Sequence, residues 1–197
     1  MKKIILVLMM CTDAVYAGST LYDFETRTSH DSQVYITQIG ENNNLTATQT
    51  GTTNNYTSIS NNGSNNNITI EQIGNSDTIT NFNNTVVSGN NNTINVTQTT
   101  TSGIKSSIIN ITDNNNSVIL NQTDLGNHFA EIGLTGGNKT VNIQQSGSAN
   151  QTANIQLSGN TTSLSLQQNG TTQNSYAIQF NCATTGGCSP ITVKQGN

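Results

Sequence analysis

From residue 32 onward one short phrase keeps returning, and it dictates the architecture. An apolar residue, a second residue of the same face two positions on, and a glutamine two further on recur seven times: Leu45/Ala47/Gln49, Ile68/Ile70/Gln72, Ile94/Val96/Gln98, Val118/Leu120/Gln122, Val141/Ile143/Gln145, Leu164/Leu166/Gln168 and Ile191/Val193/Gln195. Their first positions lie 23, 26, 24, 23, 23 and 27 residues apart. Between them runs a second series, read as Val34/Ile36/Gln38, Tyr56/Ser58/Ser60, Ile79/Asn81/Asn83, Ser107/Ile109/Ile111, Ala130/Ile132/Leu134, Ala153/Ile155/Leu157 and Tyr176/Ile178/Phe180, with spacings of 22, 23, 28, 23, 23 and 23. Alternation with period two is the mark of a strand with one buried face. A helix would need apolar residues three and four apart, and these segments lack them.

Turn-forming runs separate the strands, such as Gly40-Glu41-Asn42-Asn43, Asn62-Gly63-Ser64-Asn65 and Asp113-Asn114-Asn115-Asn116. Each unit therefore reads strand, turn, strand, turn. A lone unit buries too little to persist, whereas stacked units pair strand on strand and share one continuous core. The expected fold is an all-β solenoid of about seven strand-turn-strand rungs, stacked parallel and in register over residues 32–197, with rungs at 32–53, 54–76, 77–103, 104–127, 128–149, 150–172 and 173–197. The longer spacings locate insertions: about four residues in the turn around 85–91, further residues near 100–105, and a loop in the seventh unit. Insertions in turns bulge outward without altering strand register.

Composition agrees that repetition, not an ordinary core, must supply order. Charged residues are 8% of the 197, hydrophobic ones 31%, and 33 are asparagine. Such a polar chain would stay disordered unless its units stacked. The inward glutamines are the informative residues. Burying an amide without partners costs about 1–3 kcal/mol, but a column of amides, one per rung, lets each donate to one neighbour and accept from the other. Asn43, Asn66, Asn92 and Asn116, six positions before the glutamines, form either a second column or ordinary turns; Lys139, Thr162 and Ser189 replace them in the last units. The third position of the second series is polar early (Gln38, Ser60, Asn83) and apolar later (Ile111, Leu134, Leu157, Phe180), so the C-terminal half is expected to be the more stable.

Residues 1–17 read as a secretory signal peptide: Lys2 and Lys3, the apolar run IILVLMMC over 4–11, and cleavage after Ala17. The rival is a lipoprotein cleaved before Cys11, with Met10 where a small residue belongs. No later segment is apolar enough to span a bilayer as a helix. Cleavage leaves four basic and nine acidic residues, a balance of −5 that argues against a nucleic-acid partner. It also leaves Cys182 and Cys188, which either pair across the loop 183–187 in an oxidising exterior or remain two free thiols. Residues 18–31 lie outside the repeats and read as a flexible N-terminal segment.

The first unit, Ser32-x5-Gln38-x-Gly40-x-Asn42-Asn43-x-Leu45-x3-Gln49, resembles the curlin repeat Ser-x5-Gln-x-Gly-x-Gly-Asn-x-Ala-x3-Gln. Ser32, Gln38, Gly40, Asn43 and Gln49 match; Asn42 replaces a glycine and Leu45 an alanine. Later units keep the second glutamine, and several lose the first glutamine and the serine. Seven units and the cysteine loop depart from the usual pattern. The resemblance implies a structural subunit of an extracellular, curli-like functional amyloid on a bacterial surface, serving adhesion and biofilm matrix. It implies self-association into fibres, a nucleator partner, an outer-membrane secretion channel, and an export role for 18–31. The repeat stopping at Gln195 without a polar or helical cap reads as a major subunit, since a bare rung offers unpaired N–H and C=O groups; a minor nucleator is the runner-up.

Other functions find less support. His30 and His128 stand at no metal-ligand spacing, and His128 reads as a solvated turn residue. The acids are scattered, and no phosphate-binding glycine loop is visible, so neither enzyme activity nor a cofactor is expected. A polysaccharide-active β-helix would need a charged cluster on one face. An ice- or surface-binding monomer would need regular outward columns. The candidates are Thr46, Thr69, Asn95, Ile119, Asn142, Ser165, Thr192 and their neighbours Thr48, Glu71, Thr97, Asn121, Gln144, Gln167, Lys194, interrupted by Glu71 and Lys194.

Overall fold

The computed structural model describes residues 5–9, 21–27, 32–51, 53–75, 80–136, 138–159, 162–179 and 190–196. Successive strands alternate between two parallel sheets, the signature of a β-solenoid. One sheet holds β1 (Ile5–Met9), β3 (Gln33–Ile39), β5 (Asn54–Asn62), β7 (Thr80–Ser88), β9 (Lys105–Thr112), β11 (His128–Thr135), β13 (Gln151–Gln156) and β15 (Asn174–Gln179), in that order. The other holds β2 (Leu21–Arg27), β4 (Asn44–Gly51), β6 (Asn67–Gly74), β8 (Thr93–Thr100), β10 (Ser117–Gln122), β12 (Lys139–Gln145), β14 (Thr162–Gln168) and β16 (Ile191–Gln195). From β3 to β16 this is seven rungs, each with one strand in either sheet.

The two inner faces make the core. Leu45, Ile68, Ile94, Val118, Val141, Leu164 and Ile191 stack in one column, and Ala47, Ile70, Val96, Leu120, Ile143, Leu166 and Val193 in the next. Facing them, Ile36, Ile59, Thr85, Ile109, Ile132, Ile155 and Ile178 form a third. All of these are buried except Ile191 and Val193 on the last rung, which pack against the core while partly exposed. A buried isoleucine or leucine contributes roughly 2 kcal/mol against its exposed state, and sharing walls lets each rung use its neighbours' apolar surface.

The corners explain the glycines and asparagines. Two residues after the innermost stretch of each first-sheet strand the backbone takes positive φ: Gly40 (108°), Gly63 (154°), Gly89 (147°) and Asp113 (89°). Two further on, Asn42, Asn65, Asn91, Asn115 and Asn138 sit in the left-handed region at φ 54–63°. Asparagine tolerates that region better than other side chains, which is why Asn42 can stand where the curlin phrase has glycine.

The second series needs two register corrections. In β5 the inward residues are Thr57, Ile59 and Asn61, while Tyr56, Ser58 and Ser60 face outward. Outside, Tyr56 stacks on Phe82 with ring centroids 5.1 Å apart and planes 4° from parallel, and Tyr35 lies 5.6 Å away. The sequence pattern favoured Tyr56 because polar residues flank the one isoleucine of that strand. In β7 the triplet in register is Asn83/Thr85/Val87. Asn81 is also inward, one notch earlier, and Ile79 lies outside the described residues. The first positions then fall 23, 26, 24, 23, 23 and 23 residues apart, following the first series. The expected insertion at 85–91 is overturned: residues 80–88 are strand, and the extra length lies between β6 and β7 at 75–79. Gln38, Ile109, Ile111, Ile132, Leu134, Ile155, Leu157 and Ile178 are inward and buried as read; Phe180 lies outside the described residues. The third-position column becomes apolar from Val87 onward.

The N-terminal segment also departs from expectation. Residues 21–27 are not a free tail: β2 pairs in parallel with β4, and β1 pairs with β3. An open sheet edge accepts any extended segment that can fill its hydrogen bonds. The repeat phase runs on into this one, for Tyr22, Phe24 and Thr26 stand opposite Leu45, Ala47 and Gln49.

Candidate functional site: the amide ladder and its two ends

The seven glutamines form one continuous chain of hydrogen bonds. Gln49 Nε2 donates to Gln72 Oε1 at 2.9 Å, Gln72 to Gln98 at 2.8 Å, and Gln98 to Gln122 at 2.9 Å. Gln122 donates to Gln145 at 2.8 Å, Gln145 to Gln168 at 2.9 Å, and Gln168 to Gln195 at 3.0 Å. The second amide hydrogen crosses to the opposite sheet, reaching the carbonyls of Gln33, Tyr56, Phe82, Ser106, Phe129 and Thr152 at 2.8–3.1 Å. The column thus satisfies its own amides in an apolar interior and rivets the two sheets together.

Every ladder donor points toward the C-terminal rung, so the two ends differ chemically. At the first rung Gln49 Oε1 is buried with no hydrogen-bond partner. At the last, Gln195 accepts from Gln168 and is only partly buried. An acceptor end and a donor end of one ladder face in opposite directions.

A second ladder lines the corner. Asn43, Asn66 and Asn92 accept from the backbone N–H of Asn66, Asn92 and Asn116 at 2.8–2.9 Å, and their Nδ2 groups donate to the carbonyls of Gly63, Gly89 and Asp113 at 2.8–3.1 Å. Lys139 continues the column: its Nζ donates to Gly159 O at 2.9 Å, the work an asparagine amide does elsewhere. Burial lowers the pKa of this ammonium. Ser189 lies outside the described residues, as do Cys182 and Cys188.

A third polar column went unread: Asn55, Asn81, Lys105, His128, Gln151 and Asn174 stack at the opposite corner. Its signal was present, since these residues sit two positions before the corrected triplets. His128 is therefore not a solvated turn residue; it is 1% exposed, with Nε2 2.7 Å from Thr123 O and Nδ1 without a partner. Lys105 is fully enclosed and donates to Gly126 O at 2.6 Å and Ser102 O at 3.3 Å. Burial, opposed by Asp124, brings the Lys105 pKa down to about 8. Burial and then the Lys105 charge bring His128 down to about 4. The folded chain then binds fewer protons than the unfolded one between pH 6.5 and about 4, and stability falls as pH drops through that window. His128→Gln, matching its column neighbour Gln151, is expected to flatten this part of the profile. Urea midpoints for the two proteins at neutral pH and near pH 4 check it, and parallel profiles would refute it.

Among the described residues no three His, Cys, Asp or Glu side chains are grouped so as to hold a metal, and no helix is long and apolar enough to cross a membrane. The fold and the ladder define a class: a β-solenoid stacked through buried amide columns. No protein-family model, curated protein or solved structure matches the chain.

Proposed function

We propose that the chain is the structural subunit of an extracellular, curli-like fibre serving adhesion and biofilm matrix, exported unfolded and growing by end-to-end strand templating. The observation carrying this reading is the complementarity of the ladder ends: the unpartnered Gln49 Oε1 at one and Gln195 at the other. Joining copies head to tail would continue the ladder and lay the partly exposed Ile191 and Val193 over Leu45 and Ala47 of the next copy. Such a contact is heterologous and does not close, so it propagates. A nucleator partner and a secretion channel follow from the resemblance to curlins. The outward columns favour an ice-binding monomer less, because Ile119, Glu71 and Lys194 interrupt them.

The test is assembly of the purified chain lacking residues 1–17, followed by thioflavin fluorescence and fibre diffraction. Growth of fibres with a ~4.7 Å meridional reflection is expected; a persistent monomer would count decisively against the proposal. Val193→Lys, on the terminal rung, is expected to block elongation while sparing the fold, because joining would bury an unpaired ammonium. Circular dichroism of the variant separates a blocked end from an unfolded chain.

A further inference from the structure

Strand β2 raises a problem of counting. With the leader cleaved after Ala17, β1 is lost, leaving seven strands in the first sheet, β3 to β15, but eight in the second, β2 to β16. Identical copies stacked end to end need equal numbers of strands in both sheets. With β2 in place, β15 of one copy could reach β3 of the next only if β16 lay where β2 lies. The odd strand also fails chemically at its site: it puts Thr26 at the ladder position opposite Gln49, and Gln49 Oε1 remains without a hydrogen-bond partner beneath it.

We infer that residues 21–27 are a displaceable plug over the acceptor end of the stack, whose proper occupant is the β16 edge of a second copy. This rests on the fibre reading above. The plug satisfies the edge N–H and C=O groups of β4 in the free subunit, where an open edge would invite indiscriminate pairing. It leaves the ladder acceptor without a partner, so an incoming Gln195 amide gains a buried hydrogen bond that is absent while the plug is in place. The exchange is thereby biased toward a copy of the same chain, since only an edge that continues the glutamine column in register supplies that donor.

Two variants of the chain beginning at Gly18 move the plug in opposite directions. Thr26→Gln puts an amide at the ladder register, where it can donate to Gln49 Oε1 in the same sense as every other rung. It is expected to lengthen the lag before fibre growth by about fivefold, the worth of one such hydrogen bond. The double variant Phe24→Pro/Glu25→Pro removes two adjacent N–H groups, one of which must point toward β4, and is expected to shorten the lag. Hydrogen–deuterium exchange on the parent fibres is the second readout: amides of 21–27 should exchange freely while those of 44–50 are protected. Equal lags in parent and variants, or protection of 21–27 equal to that of 44–50, would overturn the plug while leaving the fibre intact. Failure of all three chains to form fibres would overturn the fibre reading itself, and the plug with it.

Discussion

Replacing Gln122 by leucine is expected to lower the unfolding free energy by about 2 kcal/mol, although the two side chains have similar volume. Gln122 stands at the middle of the ladder, fully buried, with rungs on both sides. Its loss strands Gln145 Oε1, which accepts from Gln122 Nε2 at 2.8 Å, and takes one of its bonds from the Ser106 carbonyl, which still stands in the β9–β11 ladder. Gln98 Nε2 loses one acceptor but keeps Phe82 O and Ser107 Oγ. One buried orphan acceptor at about 1–3 kcal/mol gives the expected size. Gln195→Leu on the last rung is the internal control, because it removes only the acceptor of Gln168 Nε2, which keeps Thr152 O. Denaturant unfolding of the freshly desalted monomers measures both. A loss at Gln122 no larger than at Gln195 would mean that the ladder is not a cooperative element.

The second large effect is expected at a corner. Gly63 has φ of 154°, where a side chain is strained, and a methyl group there would run into the carbonyl of Gly89 one rung on. That stacking is tight because Gly63 N–H donates to Ile39 O at 2.9 Å while Gly63 O accepts from Asn43 Nδ2 at 2.8 Å. Gly63→Ala is therefore expected to cost about 3 kcal/mol, combining backbone strain with displacement of both bonds. Gly133→Ala should stay within about 1 kcal/mol of the parent. Gly133 has no positive φ, and its added carbon meets only Gln156 Cγ at 3.9 Å. Thermal melts of the two variants decide the matter; similar melting temperatures would contradict the corner argument.

Much of this was legible in the chain because the strongest signals were strictly periodic. The glutamines announce themselves: seven amides return at one phase, and stacking them rung on rung links each to the next. The side of β5 was not legible, because Thr57 and Asn61 face inward as polar residues and alternation cannot tell their side from the other; in β7 the side of Asn81 and Asn83 was legible, but not that the triplet in register starts at Asn83. Neighbouring rungs settle that question by pairing each strand in fixed register with one whose apolar face is unambiguous. His128 was misread for a related reason, and Lys105 beside it carried no reading at all. Charge and turn proximity point outward in a sequence, whereas their enclosure depends on a column formed by residues 23 apart. By itself, then, the sequence determined the period, the strand alternation and the identity of the ladder, all properties of spacing along one chain. Only the tertiary structure decided which face of β5 is buried, where the β7 triplet and the insertion before it fall and that β2 sits on the edge of β4, because those depend on hydrogen bonds between rungs that no local pattern encodes.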